Sequence, residues 1–448
     1  MTEPQDDGRT SASGTSPEGC YEPTVGKRDR KNASIPKRAL AAIGCLLIIL
    51  LGATLLVILF SNPKRVPAAR EFSPDSRIVA YITESVVDLP TPPELYTIRW
   101  KYMAHWFPAE SPEKRRSIFL DSFGRKEHRN TCECKLLFST DAKRLAVIGP
   151  RKLTIVDLAS GKSVVLTKAD EMPTGAAWSS LDEITYVTHG NHNGRYGTVF
   201  DRRVFAENVT ERKRRQLFEQ FDCETWRGES LSPNGRWLVS MQNSSDPIKL
   251  VDLSTGCATH EIVSKSIGFH ASWKRDCSAV FILGHPAAGN PTKACLVKTG
   301  DGTVHDLSAL FNEHFQEQLL CIDHLWTPSG DYVVINGGQG GGCLLRPEPF
   351  ECIRLAKILC RDQDPSFGWI YQEPAAGWAR FWNPDTDFAS TYDGTQTVIL
   401  GQSDSPGGGW ILSPDGKYGM NFDRSGNPIL KRVDIVVHPP GNTDGAAE

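Results

Sequence analysis

One short phrase is written eight times along the chain, and it limits the possible folds more than any other property of the sequence. In order it stands as Phe72-Ser-Pro-Asp, Phe138-Ser-Thr-Asp, Trp178-Ser-Ser-Leu-Asp, Leu231-Ser-Pro-Asn-Gly, Trp273-Lys-Arg-Asp, Trp326-Thr-Pro-Ser-Gly, Trp382-Asn-Pro-Asp and Leu412-Ser-Pro-Asp-Gly. Each copy has a large apolar anchor and a turn made of residues that pre-set φ or tolerate the left-handed region. An apolar run such as RLAVIG, WLVSM, AVFIL or YVVING usually follows. That is a strand, a tight turn and a second strand.

A second phrase lies farther along some of the units: IVDLASGK at 155–162, LVDLSTGC at 250–257 and, more faintly, LVKTGDG at 296–302. A strand, a turn ending in glycine and another strand supply an outer hairpin, so each unit amounts to a small four-stranded antiparallel sheet. Such a sheet cannot bury both faces by itself, whereas a ring of sheets buries each against its neighbours. Repeats of this length point to a β-propeller. The spacing predicts an all-β fold of seven to eight blades behind a single N-terminal transmembrane helix. The first and last units are expected to be neighbours that close the ring, either as two blades or by sharing one.

The anchor followed by Ser-Pro-Asp-Gly, with a later Val-Asp-Leu-x-x-Gly, resembles the TolB-like and WD-like propeller repeats. These occur in periplasmic and membrane-attached proteins and in the propeller of prolyl-oligopeptidase-type peptidases. The resemblance runs over about 72–437. It implies an architecture and leaves the function open. The chain departs from the pattern at Trp273-Lys-Arg-Asp and Trp178-Ser-Ser-Leu, where the turn proline and glycine are missing.

ALAAIGCLLIILLGATLLVILF, residues 39–60, carries no charge over 22 positions, enough for a helix of about 33 Å that crosses a bilayer. A cleaved signal peptide, with Val66-Pro-Ala68 as its site, would have a shorter apolar core of about 7 to 15 residues. Lys27, Arg28, Arg30, Lys31, Lys37 and Arg38 precede the span, and only Lys64, Arg65 and Arg70 follow it closely, which places the amino terminus in the cytoplasm. The expected organisation is a disordered cytoplasmic tail (1–38), the span (39–60), a linker (61–69), the propeller (70–437) and a disordered tail (438–448).

The propeller is then extracytoplasmic, in a periplasm, lumen or extracellular space. Disulfides are permitted there, and ten of the twelve cysteines follow the span, with Cys132-Glu-Cys134 the tightest pair. Asn208-Val-Thr and Asn243-Ser-Ser fit the glycosylation sequon. Two insertions read as rim helices: 306–320, with Asp306 as N-cap and Leu307, Leu310, Phe311 and Leu319 as its apolar side, and 208–221, whose Arg212, Lys213, Arg214 and Arg215 form a solvated basic face. A formal net charge of -3 argues against a nucleic-acid partner.

Catalytic and cofactor motifs are missing. There is no G-x-S-x-G elbow, no H-E-x-x-H, no EF-hand loop and no kinase signature. Ser160-Gly161-Lys162-Ser163 imitates the end of a phosphate-binding loop but lacks its first glycine, so it reads as a hairpin turn. GGQGGG at 337–342 reads as a hairpin tip, and His189-Gly-Asn-His192 as an exposed loop. No metal and no cofactor are expected.

One constellation depends on the ring. Residues just before the anchors should lie near the central channel, and these are Glu229, His270, Asp323, His324, Arg380 and Trp410. They are the candidate ligand-binding residues. The function expected is a membrane-anchored scaffold or sensor component that binds a protein partner or small ligand outside the cytoplasm and meets the bilayer through 39–60. The rival is a hydrolase or lyase working at the channel mouth.

Overall fold

The computed structural model describes residue 48 and residues 65–88, 98–124, 134–194, 197–223, 229–242, 246–263, 268–285, 293–315, 324–326, 330–335, 343–354, 378–382, 387–391, 396–399 and 410–437, apart from 424 and 426. The chain forms two units, 1–60 and 61–448. The expected tails 1–38 and 438–448 and all of the span except Ile48 lie outside the described residues, as do Asp323 and the 337–342 glycine stretch. No helix among the described residues is long and apolar enough to cross a membrane.

Within the second unit the described strands make eight antiparallel sheets, seven of four strands and one of three. In chain order the sheets span 65–124, 135–165, 171–223, 229–263, 268–306, 324–354, 378–399 and 411–432. All eight anchors, Phe72, Phe138, Trp178, Leu231, Trp273, Trp326, Trp382 and Leu412, are the final residues of first strands. First strands touch first strands, sheet one meeting sheets two and eight, so they lie at the inner edge. This is a β-propeller.

Packing explains why the apolar runs do not alternate with polar residues. In the second strand of sheet one, Ala80 and Ile82 pack with Leu145 and Val147 of sheet two, while Val79 and Tyr81 pack with Met420 and Phe422 of sheet eight. In sheet two, Ala146 and Ile148 turn the other way, onto Ile184 and Tyr186 of sheet three. The pattern continues: Val280 and Ile282 face sheet four, and Phe281 and Leu283 face sheet six. Side chains alternate between two faces and both faces are buried.

The repeated turn is held by its own side chains. The hydroxyls of Ser73, Ser139 and Ser413 donate to Asp75, Asp141 and Asp415 at 2.6, 2.7 and 2.6 Å, and Ser232 donates to Asn234 at 2.7 Å. Each serine oxygen also accepts the backbone N–H five residues on, at Ile78, Arg144, Trp237 and Tyr418. All four serines are fully buried, so the second bond satisfies a hydroxyl that would otherwise be costly. The fourth turn position takes a positive φ whether it is glycine (Gly416, 71°) or not (Ser76, 62°; Ala142, 54°; Cys277, 59°). Three tryptophan anchors staple neighbouring sheets. The indole N–H groups of Trp178, Trp273 and Trp326 donate to Leu137 O, Ser230 Oγ and Ser272 O, each on the first strand of the preceding sheet, at 3.1, 3.1 and 2.8 Å.

Four expectations need correction. Residues 208–221 do not make a helix: after a turn at Asn208 to Arg212, Lys213–Cys223 is the outer strand of sheet three. Its basic run is also not a merely solvated face. Arg212, Lys213, Arg214 and Arg215 pair with Glu207, Glu211, Glu171 and Glu183, and Arg214 lies across the sheet with its guanidinium 3.4 Å from the Phe205 ring centroid. His189 and His192 are not in a loop, because Glu183–Gly194 is a single strand and His189 is buried within it. In the 306–320 insertion, Ser308–Phe315 is helical, with the Ser308 N–H donating to Asp306, but Leu310 is exposed.

Among the described strands, the first and last units do not share a sheet. Sheets one and eight stay separate and meet through side chains: Tyr81 and Phe422 are edge to face at 5.3 Å, and the Asp415 N–H donates to Ser76 Oγ. The strand Ile435–Val437 instead passes back to become the fourth strand of sheet seven, beside Gln396–Ile399, and leaves sheet eight with three.

Candidate functional site

Four of the channel candidates lie on first strands of successive sheets: Glu229 in sheet four, His270 in sheet five, His324 in sheet six and Arg380 in sheet seven. Their register positions differ. Glu229, His324 and Arg380 stand two residues before their anchors, opposite Ser240, Ile335 and Ala389. His270 stands three before Trp273, opposite Leu283, and so falls on the other strand face, with Ser272. Trp410 precedes the first strand of sheet eight and is buried, its ring against Gly419 and 4.4 Å from the Lys431 ammonium.

A concave feature lies between sheets five and six. It is a cleft of about 820 Å³ whose lining comes from four turns, two from each sheet. The turn after Trp273 supplies Lys274, and the outer hairpin of sheet five supplies Lys298 and Asp301. From sheet six come Trp326 and Tyr332 around the first turn, and Arg346 and Glu348 around the outer hairpin.

The repeat chemistry explains how Lys274 reaches this place. In four other units the residue after the anchor is the buried serine of the turn, whereas here a lysine holds the same backbone bond, its N–H donating to Ala279 O at 2.9 Å. A long side chain cannot occupy a serine-sized site, so it runs outward over sheet six. There it lies across Gly330, with its Cε 2.3 Å from where a β-carbon would stand, and its ammonium is 5.9 Å from the Trp326 ring centroid. Trp326 is fixed in turn by two hydrogen bonds to Ser272, from its indole and its backbone N–H.

The other cations of the cleft carry carboxylates. Lys298 Nζ is 2.9 Å from Glu348, which also lies 3.0 Å from His305 Nε2. Arg346 is 2.8 Å from Glu351, stacks on Tyr332 at 4.7 Å and donates to its hydroxyl. The Thr303 N–H, 2.9 Å away, holds the Asp301 carboxyl below the usual range and hence ionised at neutral pH. The arrangement offers two aromatic surfaces and fixed charges of both signs, which suits recognition. No group of three metal-ligating side chains occurs among the described residues.

Sequence reasoning missed the cleft because its two walls are about fifty residues apart in the chain. A signal was present in Trp273-Lys-Arg-Asp, the copy of the repeat that places a lysine where serine is usual.

No family model and no curated protein matches the chain. Among solved structures it is similar to an acylaminoacyl peptidase of Pyrococcus horikoshii, with 12% identity, 75% of this chain and 51% of that one covered, and a TM-score of 0.44. An oligogalacturonate lyase in complex with manganese gives 12% identity, coverage of 84% and 98%, and a TM-score of 0.41. TolB from Acinetobacter baumannii gives 10%, 72% and 80%, with a TM-score of 0.32. The eight turn phrases and the sheets they open make this chain a β-propeller, whose repeats resemble those of TolB-like propellers.

Proposed function

We propose that the protein is an eight-bladed propeller, anchored in a membrane through residues 39–60, that binds a protein partner or small ligand outside the cytoplasm. The observation that carries the binding reading is the cleft between sheets five and six, where aromatic rings and fixed charges from four turns surround about 820 Å³. That volume falls within the usual range of ligand pockets, about 300 to 1,000 Å³. The anchor rests on the length of the apolar segment and the basic residues before it. Arg65–Phe72 runs toward the first turn, so Arg65 lies at the opposite end of its sheet from that turn.

The test is co-purification of partners with the full chain, solubilised in detergent and compared with Tyr332→Ala. Tyr332 is half-buried, and its loss removes one wall of the cleft at small cost to the fold. Partners retained at parental levels by the variant would refute a binding role for the cleft. The membrane part is tested separately by a reporter active only outside the cytoplasm, expected to work when fused after Glu448 and to fail when fused before Lys27.

A further inference from the structure

The cleft cations are not equivalent. Lys298 and Arg346 each hold a carboxylate of the protein within 2.9 Å, Glu348 and Glu351 respectively. Lys274 has no carboxylate within ion-pair distance among the described residues. Its nearest acidic neighbour in sequence, Asp276, interacts with its charge only beyond ion-pair distance, and one of its oxygens accepts from the hydroxyl and N–H of Ser278 at 2.7 and 2.9 Å. What Lys274 does have is an aromatic ring, Trp326, below it. A half-buried ammonium beside an apolar surface keeps its charge available, and the partner that suits it is an anion attached to an apolar group.

Deepening the reading of the cleft as a binding site, and resting on it, we propose that Lys274 and Trp326 form the subsite for a carboxylate that carries an apolar flank. The carboxylate pairs with Lys274 Nζ and the flank lies on the Trp326 ring, against the Tyr332 wall. Lys298 and Arg346 are held by Glu348 and Glu351 and shape the cleft without taking the ligand's charge. Such a carboxylate can come from a free small acid or from an acidic side chain between apolar residues in a peptide. Both present the same chemistry to the subsite.

The test uses the full chain in lipid nanodiscs and ligand-observed NMR titration. Phenylacetate serves as the free acid, acetyl-Phe-Asp-Phe-amide as the peptide, and phenethylammonium as a cation of matching shape. Saturable binding of phenylacetate or the peptide is expected, with the cation much weaker. Lys274→Met should weaken the anions roughly ten- to a hundredfold, the range for a hydrogen bond to a charged group. Lys274→Arg should restore most of that loss. Tighter binding of the peptide identifies a protein segment as the source, and equal or weaker binding identifies a free acid.

The proposal is overturned if neither anion binds, if phenethylammonium binds as well as phenylacetate, or if Lys274→Met leaves anion affinity unchanged. Partner co-purification lost with Tyr332→Ala but kept with Lys274→Met would retain the cleft as a binding site and remove only its carboxylate specificity. Thermal melting of each variant near the parent value shows that the fold is unchanged.

Discussion

Truncating Phe422 to alanine should cost the propeller about 4 kcal/mol, because its ring fills the seam where sheet eight meets sheet one. The side chain is fully buried and packs among Phe72, Val79, Tyr81, Phe107 and Met420, four of them from the other sheet. Removal of such a ring costs about 3 to 5 kcal/mol when the walls relax only partly. The edge-to-face contact with Tyr81, at 5.3 Å and 66°, contributes about 0.5 to 1.5 kcal/mol of this. A double-mutant cycle isolates that contact. Phe422→Leu and Tyr81→Leu are made singly and together and followed by guanidinium unfolding at constant m. A Tyr81→Phe control corrects for the hydrogen bond from Arg115 to the Tyr81 hydroxyl. Coupling of about 0.5 to 1.5 kcal/mol is expected. Additivity within about 0.3 kcal/mol would mean that the rings do not meet and that the ring is not closed at this seam. A Phe422→Ala cost below about 1 kcal/mol would contradict its burial.

The turn carboxylates should make stability depend on acid. Hydrogen bonds from Ser139, Ser278 and Ser308 hold Asp141, Asp276 and Asp306 below the usual range, so their contribution is complete above the ordinary carboxylate value and is lost as pH falls through the lowered ones. Unfolding free energy should therefore be flat from neutral pH to about 5 and fall below about 4, with a shallower fall in Asp141→Asn; an unchanged slope in that variant would count against the turn account. Ala142→Gly should stabilise by about 0.5 kcal/mol, since Ala142 sits at φ 54° and relief of about 1 to 2 kcal/mol outweighs glycine's entropy cost, and any destabilisation seen by chemical denaturation would contradict this. Trp326→Phe removes the hydrogen bond to Ser272 O while keeping a ring, and a loss of about 1 kcal/mol on denaturation is expected, whereas no loss would mean that the staple does not form.

What could be read in the sequence was local. In four copies a serine hydroxyl, an aspartate or asparagine two residues on and a backbone N–H five residues on complete the turn among themselves, and all eight anchors marked the end of a first strand correctly. Assignments that depend on distant partners were not legible. The basic run 212–215 looks helical and solvated until Glu171, forty-three residues before Arg214, is brought against it by the sheet. Alternation along Lys213–Cys223 places Arg214 and Arg215 on opposite faces, which no local pattern distinguishes from a charged helix surface. The channel candidates were placed on first strands correctly in four cases, but the register that separates His270 from Glu229, His324 and Arg380 emerged only with the pairing. The cleft joins two adjacent sheets, and its only trace in the sequence was an irregular turn.

The strand Ile435–Val437 has a consequence for the order in which a newly made chain can be finished. Its partner, Gln396–Ile399, leaves the ribosome earlier by nearly forty residues, and the whole of sheet eight is synthesised in between. Sheet seven must therefore wait with three strands while its successor assembles, and its outer edge stays unpaired throughout that interval. A premature stop between Arg432 and Ile435 would spare every strand of sheet eight and leave the defect one sheet upstream. Copies truncated there would carry an exposed strand edge of the kind that chaperones and proteases engage.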